Sequence, residues 1–146
     1  MDLKNKSYKI LEFNKILEKL ASYTESELVK SQIKNLEPTD DIKLARRLQR
    51  ETTEAQITSL KLGGPPVNLS LPEVTSSVKR AEQSGVLNLS ELLAICRTLY
   101  IARRMKAYLA EAADECKTLH AIGDTLLTAK NFEDKINRCI VSEEEL

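Results

Sequence analysis

The sequence has no tryptophan, two phenylalanines, four tyrosines and one histidine. This scarcity argues against folds that stack bases on an aromatic sheet, and one imidazole leaves little for a metal site or a catalytic dyad. The three cysteines, Cys96, Cys116 and Cys139, are odd in number and widely spaced. A secreted disulfide framework has even, closely spaced cysteines, so a cytoplasmic setting is expected. No apolar run approaches the ~18 residues of a membrane helix, and Met1–Lys6 has no signal-peptide core, so no membrane is expected among the partners. Neither sign of charge prevails: 22 basic and 22 acidic residues give a formal net charge of zero. No whole-molecule field therefore draws in nucleic acid or anionic lipid.

Helix breakers are also few. The four glycines and four prolines sit at Pro38, Gly63-Gly64-Pro65-Pro66, Pro72, Gly85 and Gly123. Between them run long stretches rich in Leu, Glu, Lys, Ala and Arg, the pattern of an all-α protein. Leu3, Ile10 and Leu11 suggest a short opening helix. Asn14 is a capping candidate ahead of an apolar stripe of Ile16, Leu17, Leu20 and Ala21. Thr24 and Glu27 have the spacing of a capping box, followed by Leu28, Val29, Gln32, Ile33 and Leu36 up to Pro38. Thr39, Asp40 and Asp41 start a long helix over about 39–62. Leu44, Ala45, Leu48, Thr52, Ala55 and Leu60 lie along one side of it, and Arg47–Glu51 and Arg50–Glu54 pair on the wet side. Residues 67–72 read as a loop, and a helix over 73–83 closes at Ser84-Gly85. The longest helix spans about 88–113, opened by Asn88 or Ser90, with Leu92, Leu93, Cys96, Leu99, Tyr100, Arg103 and Ala107 inward. Gly123 is expected to break the stretch 114–128. A last helix, capped by Asn131, carries Phe132, Ile136, Cys139 and Ile140 inward. The expected architecture is a single helical module over 1–146, a multi-helix bundle with two long helices.

Reactive chemistry is sparse. There is no phosphate-loop motif, and the prolines after Gly63-Gly64 remove the backbone donors that a phosphate cradle needs. His120 has no metal-ligand neighbour at a useful spacing and reads as a surface or core residue. Cys96 and Cys139 read as small hydrophobes, and Cys116, between Glu115 and Lys117, as exposed. No catalytic, cofactor-binding or metal-binding residue is assigned. One imbalance stands out: from Leu92 to Ala110 there are Arg97, Arg103, Arg104 and Lys106 and no acid. Lys79 and Arg80 adjoin them across the Gly85 turn. These six are the candidate nucleic-acid residues, since such a stripe can contact phosphates. The plainer reading is a helix surface whose cations pair with Glu111, Asp114 or Glu115.

Four stretches in order carry a resemblance: Leu11-Glu12-Phe13-Asn14-Lys15-Ile16-Leu17, Glu51-Thr52-Thr53-Glu54-Ala55, Lys79 to Leu87, and Leu92-Leu93 through Ala102-Arg103-Arg104. Together they resemble the N-terminal region of the bacterial MutS paralogue that lacks the mismatch-reading domain and carries a C-terminal Smr nuclease domain. The likeness extends to about Leu109 and fades over Cys116–Thr128. No Phe-x-Glu mismatch wedge precedes the helical region. The resemblance implies a dimeric parent with ATP and Mg bound further downstream, acting on branched DNA or on stalled ribosomes through DNA or ribosomal RNA. The present stretch is then expected to be a non-catalytic scaffold packed against the remainder of that chain. The ending at Glu145-Leu146 reads as a truncation before the ATPase. A stand-alone helical adaptor that binds other proteins through an apolar groove is the alternative.

Overall fold

The computed structural model describes residues 10–140. Among them are seven helices and no strand: α1 (Phe13–Ala21), α2 (Glu27–Lys34), α3 (Ile42–Leu62), α4 (Thr75–Glu82), α5 (Leu89–Glu111), α6 (Lys117–Asp124) and α7 (Lys130–Cys139). The all-α expectation holds. Where one module was expected, the chain groups into two compact units that divide after Thr39, one residue past Pro38. The expected opening helix falls largely outside the described residues, as does the polar ending at 141–146.

In the first unit α1 packs against α2. Leu17 and Ala21, four apart and therefore stacked on one face, are buried at 7% and 4% exposure. Asn14 is not the cap. The helix begins after Glu12, which sits in the left-handed region at φ 53 without a side-chain cap. Nor does the Thr24–Glu27 box form. Ser26 caps α2, its hydroxyl accepting from the Val29 N–H, while Thr24 Oγ1 accepts from the Ser26 N–H at 3.3 Å.

In the second unit α5 packs against both α6 and α7, and α3 packs against α6. The start of α3 follows the sequence: Asp41 Oδ1 accepts from the Lys43 and Leu44 N–H groups at 2.8 and 3.3 Å, which satisfies donors the first turn leaves open. Asn88 caps α5 in a complete capping box with Glu91. The end of α4 departs from expectation in detail. Ser84, not glycine, takes the left-handed position at φ 61. Gly85 is required for another reason: a Cβ there would lie 2.5 Å from Arg80 Cγ and 2.8 Å from the Arg80 carbonyl oxygen.

Three stripes face differently from the sequence reading. On α3 the buried residues are Glu54 and Thr58, while Leu44, Leu48 and Leu60 are exposed. Glu54 turns inward, so the Arg50–Glu54 pair does not form, whereas Arg47–Glu51 closes at 2.9 Å. On α7 the buried pair is Glu133 and Ile136, with Phe132 and Cys139 exposed, and Asn131 lies inside a helix whose N-cap is Ala129. On α5 Ile101 joins Cys96 in the core, while Tyr100 and Ala107 face out. The stretch 114–128 is interrupted at Gly123 as expected, since α6 ends one residue later at Asp124. Gly123 is buried, where a Cβ would meet Leu109 side-chain carbons at 3.1 and 3.2 Å.

Candidate nucleic-acid interface

The basic run of α5 separates into cations that hold the fold together and cations that point outward. Arg103 belongs to the first group. Its Nε lies 3.1 and 3.3 Å from the two Glu133 carboxylate oxygens, and its Nη2 lies 2.9 Å from Oε2. The Glu133 side chain is 3% exposed, so the two-pronged guanidinium satisfies a carboxylate that burial would otherwise penalise. Hydrogen bonding to Glu133 in turn holds the Arg103 guanidinium above its ordinary range. The same guanidinium lies over the Tyr100 ring, 5.4 Å from its centroid.

Lys106 is also engaged. Its ammonium donates to the Asp124 and Leu126 carbonyls at 3.0 and 3.4 Å. It thereby places a cation at the negative end of α6. Arg80 pairs with Glu91, which also accepts from the Ser77 hydroxyl at 2.9 Å. The backbone N–H of Asn88 is the main influence lowering the Glu91 carboxyl below its usual range, with Ser77 and Arg80 adding to it. Arg80 thus ties α4 to the start of α5, as its position across the Gly85 turn suggested.

Arg97 and Arg104 are exposed and, like exposed Lys79, have no hydrogen-bond or ion-pair partner among the described residues. They are seven positions apart on α5 with Tyr100 between them, all within about 60° of one another around the helix axis. Tyr100 is 42% exposed. None of the acids suggested by the sequence, Glu111, Asp114 or Glu115, pairs with the basic run, and Glu115 binds Lys61 instead at 2.9 Å. The stripe therefore reduces to Arg97, Tyr100 and Arg104 on one face, with Lys79 on α4.

Two buried carboxylates that brace the helices were not recognised from sequence. Glu133 is one. Glu54 is the other: its Oε2 accepts from the Leu119 N–H at 2.8 Å, the position that an N-cap side chain of α6 would serve. Cys116, the residue at that cap, offers no side-chain hydrogen bond to the helix. Its Sγ instead lies 3.3 Å from Thr58 Oγ1 and 3.5 Å from the Glu54 carbonyl. Cys116 is consequently 1% exposed, opposite to expectation, and Cys139 is the exposed thiol. The available signal for both carboxylates was their spacing: Glu133 is three residues before Ile136, and Glu54 four before Thr58. His120, half-buried, approaches only Asp124, at 3.7 Å.

No group of three or more potential metal ligands gathers among the described residues. Among the same residues, no helix is long and apolar enough to cross a membrane.

No family model matches the chain. Individual relatives do. Over 146 residues it is 33% identical to a protein named endonuclease MutS2 from Ruminiclostridium cellulolyticum and 38% identical to one so named from Agathobacter rectalis. Over 147 residues it is 34% identical to the endonuclease MutS2 of Acetivibrio thermocellus. Each match takes in 99% of this chain but 18% of the relative's length. The similarity therefore continues past Leu109 and through α6 and α7, where the sequence motifs had faded. Glu54 and Arg103, which brace α6 and α7, lie within the stretches that carried the resemblance, and the likeness spans nearly every residue between and beyond them. The chain belongs to the MutS2 family and corresponds to the N-terminal region of its members.

Proposed function

We propose that this region is a non-catalytic helical scaffold of a MutS2-type protein, and that its α5 face contacts nucleic-acid phosphates. One observation carries the reading. Arg103 and Lys106 are tied into the fold, while Arg97 and Arg104 on the same braced helix stay free and exposed among the described residues. A rigid rod with outward guanidinium groups is suited to follow a phosphate backbone and to transmit movement along its length. In the longer protein, ATP with magnesium and nuclease chemistry would be supplied by residues outside this chain. Branched DNA or the ribosomal RNA of stalled ribosomes, in the cytoplasm, would be the target.

The test is oligonucleotide binding across a salt series. Each phosphate contact contributes about 0.9 to the slope of log affinity against log salt. Two contacts then account for roughly a tenfold loss between 50 and 200 mM salt. Arg97→Glu with Arg104→Glu should weaken binding and flatten that slope by about 2. Unchanged binding with an intact fold would remove the nucleic-acid role.

A second observation concerns neighbours. Leu44 and Leu48 are one turn apart on α3 and 38% and 44% exposed. A soluble helix ordinarily covers such a stripe. The occupant we assign is the remainder of the family polypeptide, because this chain spans 18% of the relatives it matches. Joining the longer chain should protect these side chains from solvent. Homodimerisation through this stripe, or capture of an unrelated protein by it, would favour a self-association or adaptor role instead.

A further inference from the structure

The α5 face is more than a line of charge, because it holds an oriented aromatic ring. Glu133, 3% exposed, fixes Arg103 through two-pronged hydrogen bonds. Arg103 in turn lies over Tyr100 at 5.4 Å. The ring is thus held by a buried carboxylate acting through a guanidinium, while 42% of the residue remains open to solvent. Beside it, Leu93, Cys96, Arg97, Tyr100 and Asn137 line a shallow depression shared by α5 and α7. Arg97 and Arg104 flank the ring, with about 10.5 Å of helix rise between them.

We infer that Tyr100 is a stacking site for an unpaired base, with Arg97 and Arg104 holding phosphates on either side of that nucleotide. The ligand class is single-stranded nucleic acid or an unpaired nucleotide at a branch. A base inside a duplex already has both faces stacked and cannot reach the ring. The scarcity of aromatics excludes a multi-ring platform but not a single-base site, and base–aromatic stacking tolerates any base because every base has a π face. The inference rests on the phosphate-contact reading above and adds to it a preference for unpaired over paired strands.

The experiment measures anisotropy of fluorescein-labelled oligothymidylate, oligouridylate and a mixed-sequence duplex of equal length, titrated with the whole chain at fixed salt. Tyr100→Ala should weaken binding of both single strands about 5- to 150-fold and leave the duplex within twofold. Tyr100→Phe should restore wild-type affinity, and Tyr100→Leu, which keeps apolar bulk without a π system, should not. A tighter thymidylate or uridylate complex identifies the source as DNA or RNA, and either supports the site. If the Arg97→Glu, Arg104→Glu variant loses single strands and duplex while Tyr100→Leu binds single strands as wild type does, the stacking inference is overturned and the phosphate reading survives. If none of the three probes binds, both fall.

Discussion

Replacing Arg103 with methionine should unfold more of this protein than any other single change on α5. Met keeps most of the aliphatic stem and removes the guanidinium, so the main loss is the partner of Glu133. That carboxylate is 3% exposed, and the described contacts offer it no other cation. Breaking a buried pair from one side costs about 3–5 kcal/mol, because the remaining charge stays desolvated. Against a usual total of about 5–15 kcal/mol, this removes about a fifth of the stability or more. At roughly 4 °C per kcal/mol for a domain near this size, the melting temperature should fall by about 12–20 °C. The double variant Arg103→Met, Glu133→Leu removes the stranded charge and should recover most of the loss. The assay is helical circular dichroism against temperature and urea for wild type, both single variants and the double variant. A loss under 1 kcal/mol, or a double variant no better than Arg103→Met, would refute the reasoning. The same arithmetic makes Arg103 a poor probe of nucleic-acid binding, and Arg97 and Arg104 the clean ones.

Glu54→Ala should destabilise by about 1.5–3 kcal/mol, because a charged acceptor is withdrawn from the start of α6. Amide exchange should quicken at Leu119 and its neighbours, with α7 unaffected. Glu91, whose folded carboxyl is lowered by the Asn88 N–H, Ser77 and Arg80, contributes stability that is complete above the ordinary glutamate value of about 4.3. That contribution is lost as pH falls below this value through the folded one. The stability gap between wild type and Glu91→Gln should therefore be constant near neutrality and close in acid, as urea melts at several pH values will show. A thiol reagent should modify Cys139 rapidly in the native protein, with Cys96 and Cys116 reacting only on unfolding. Burial raises the Cys96 thiol above its usual range, with the Glu133 charge adding to the effect. Fast modification of Cys116 would contradict its placement between Thr58 and Glu54.

Local signals in the sequence determined where α3 begins and ends and where α5 begins, because capping and breaking act over a few residues, whereas the expected caps at Asn14, Thr24 and Asn131 did not form. Asp41 and Asn88 cap as their side chains dictate, Gly63 ends α3 and Gly85 ends the turn after α4. The resemblance was legible for the same reason, since its motifs are contiguous stretches. Which face of each helix is buried was decided only by the tertiary structure. Leu44 and Leu48 were assigned to the core on hydrophobicity, yet Glu54 and Thr58 occupy it. A buried polar group is tolerated when its partner is present, and here the partners, the Leu119 N–H and Cys116 Sγ, are about sixty positions away. The candidate site divides likewise. The six cations were visible as a local charge imbalance, but nothing in their spacing separates Arg103, claimed by Glu133, from Arg97 and Arg104. That distinction depends on which carboxylate the packing of α7 brings to α5. Periodicity along one helix carries no information about the chemistry of the helix that packs against it.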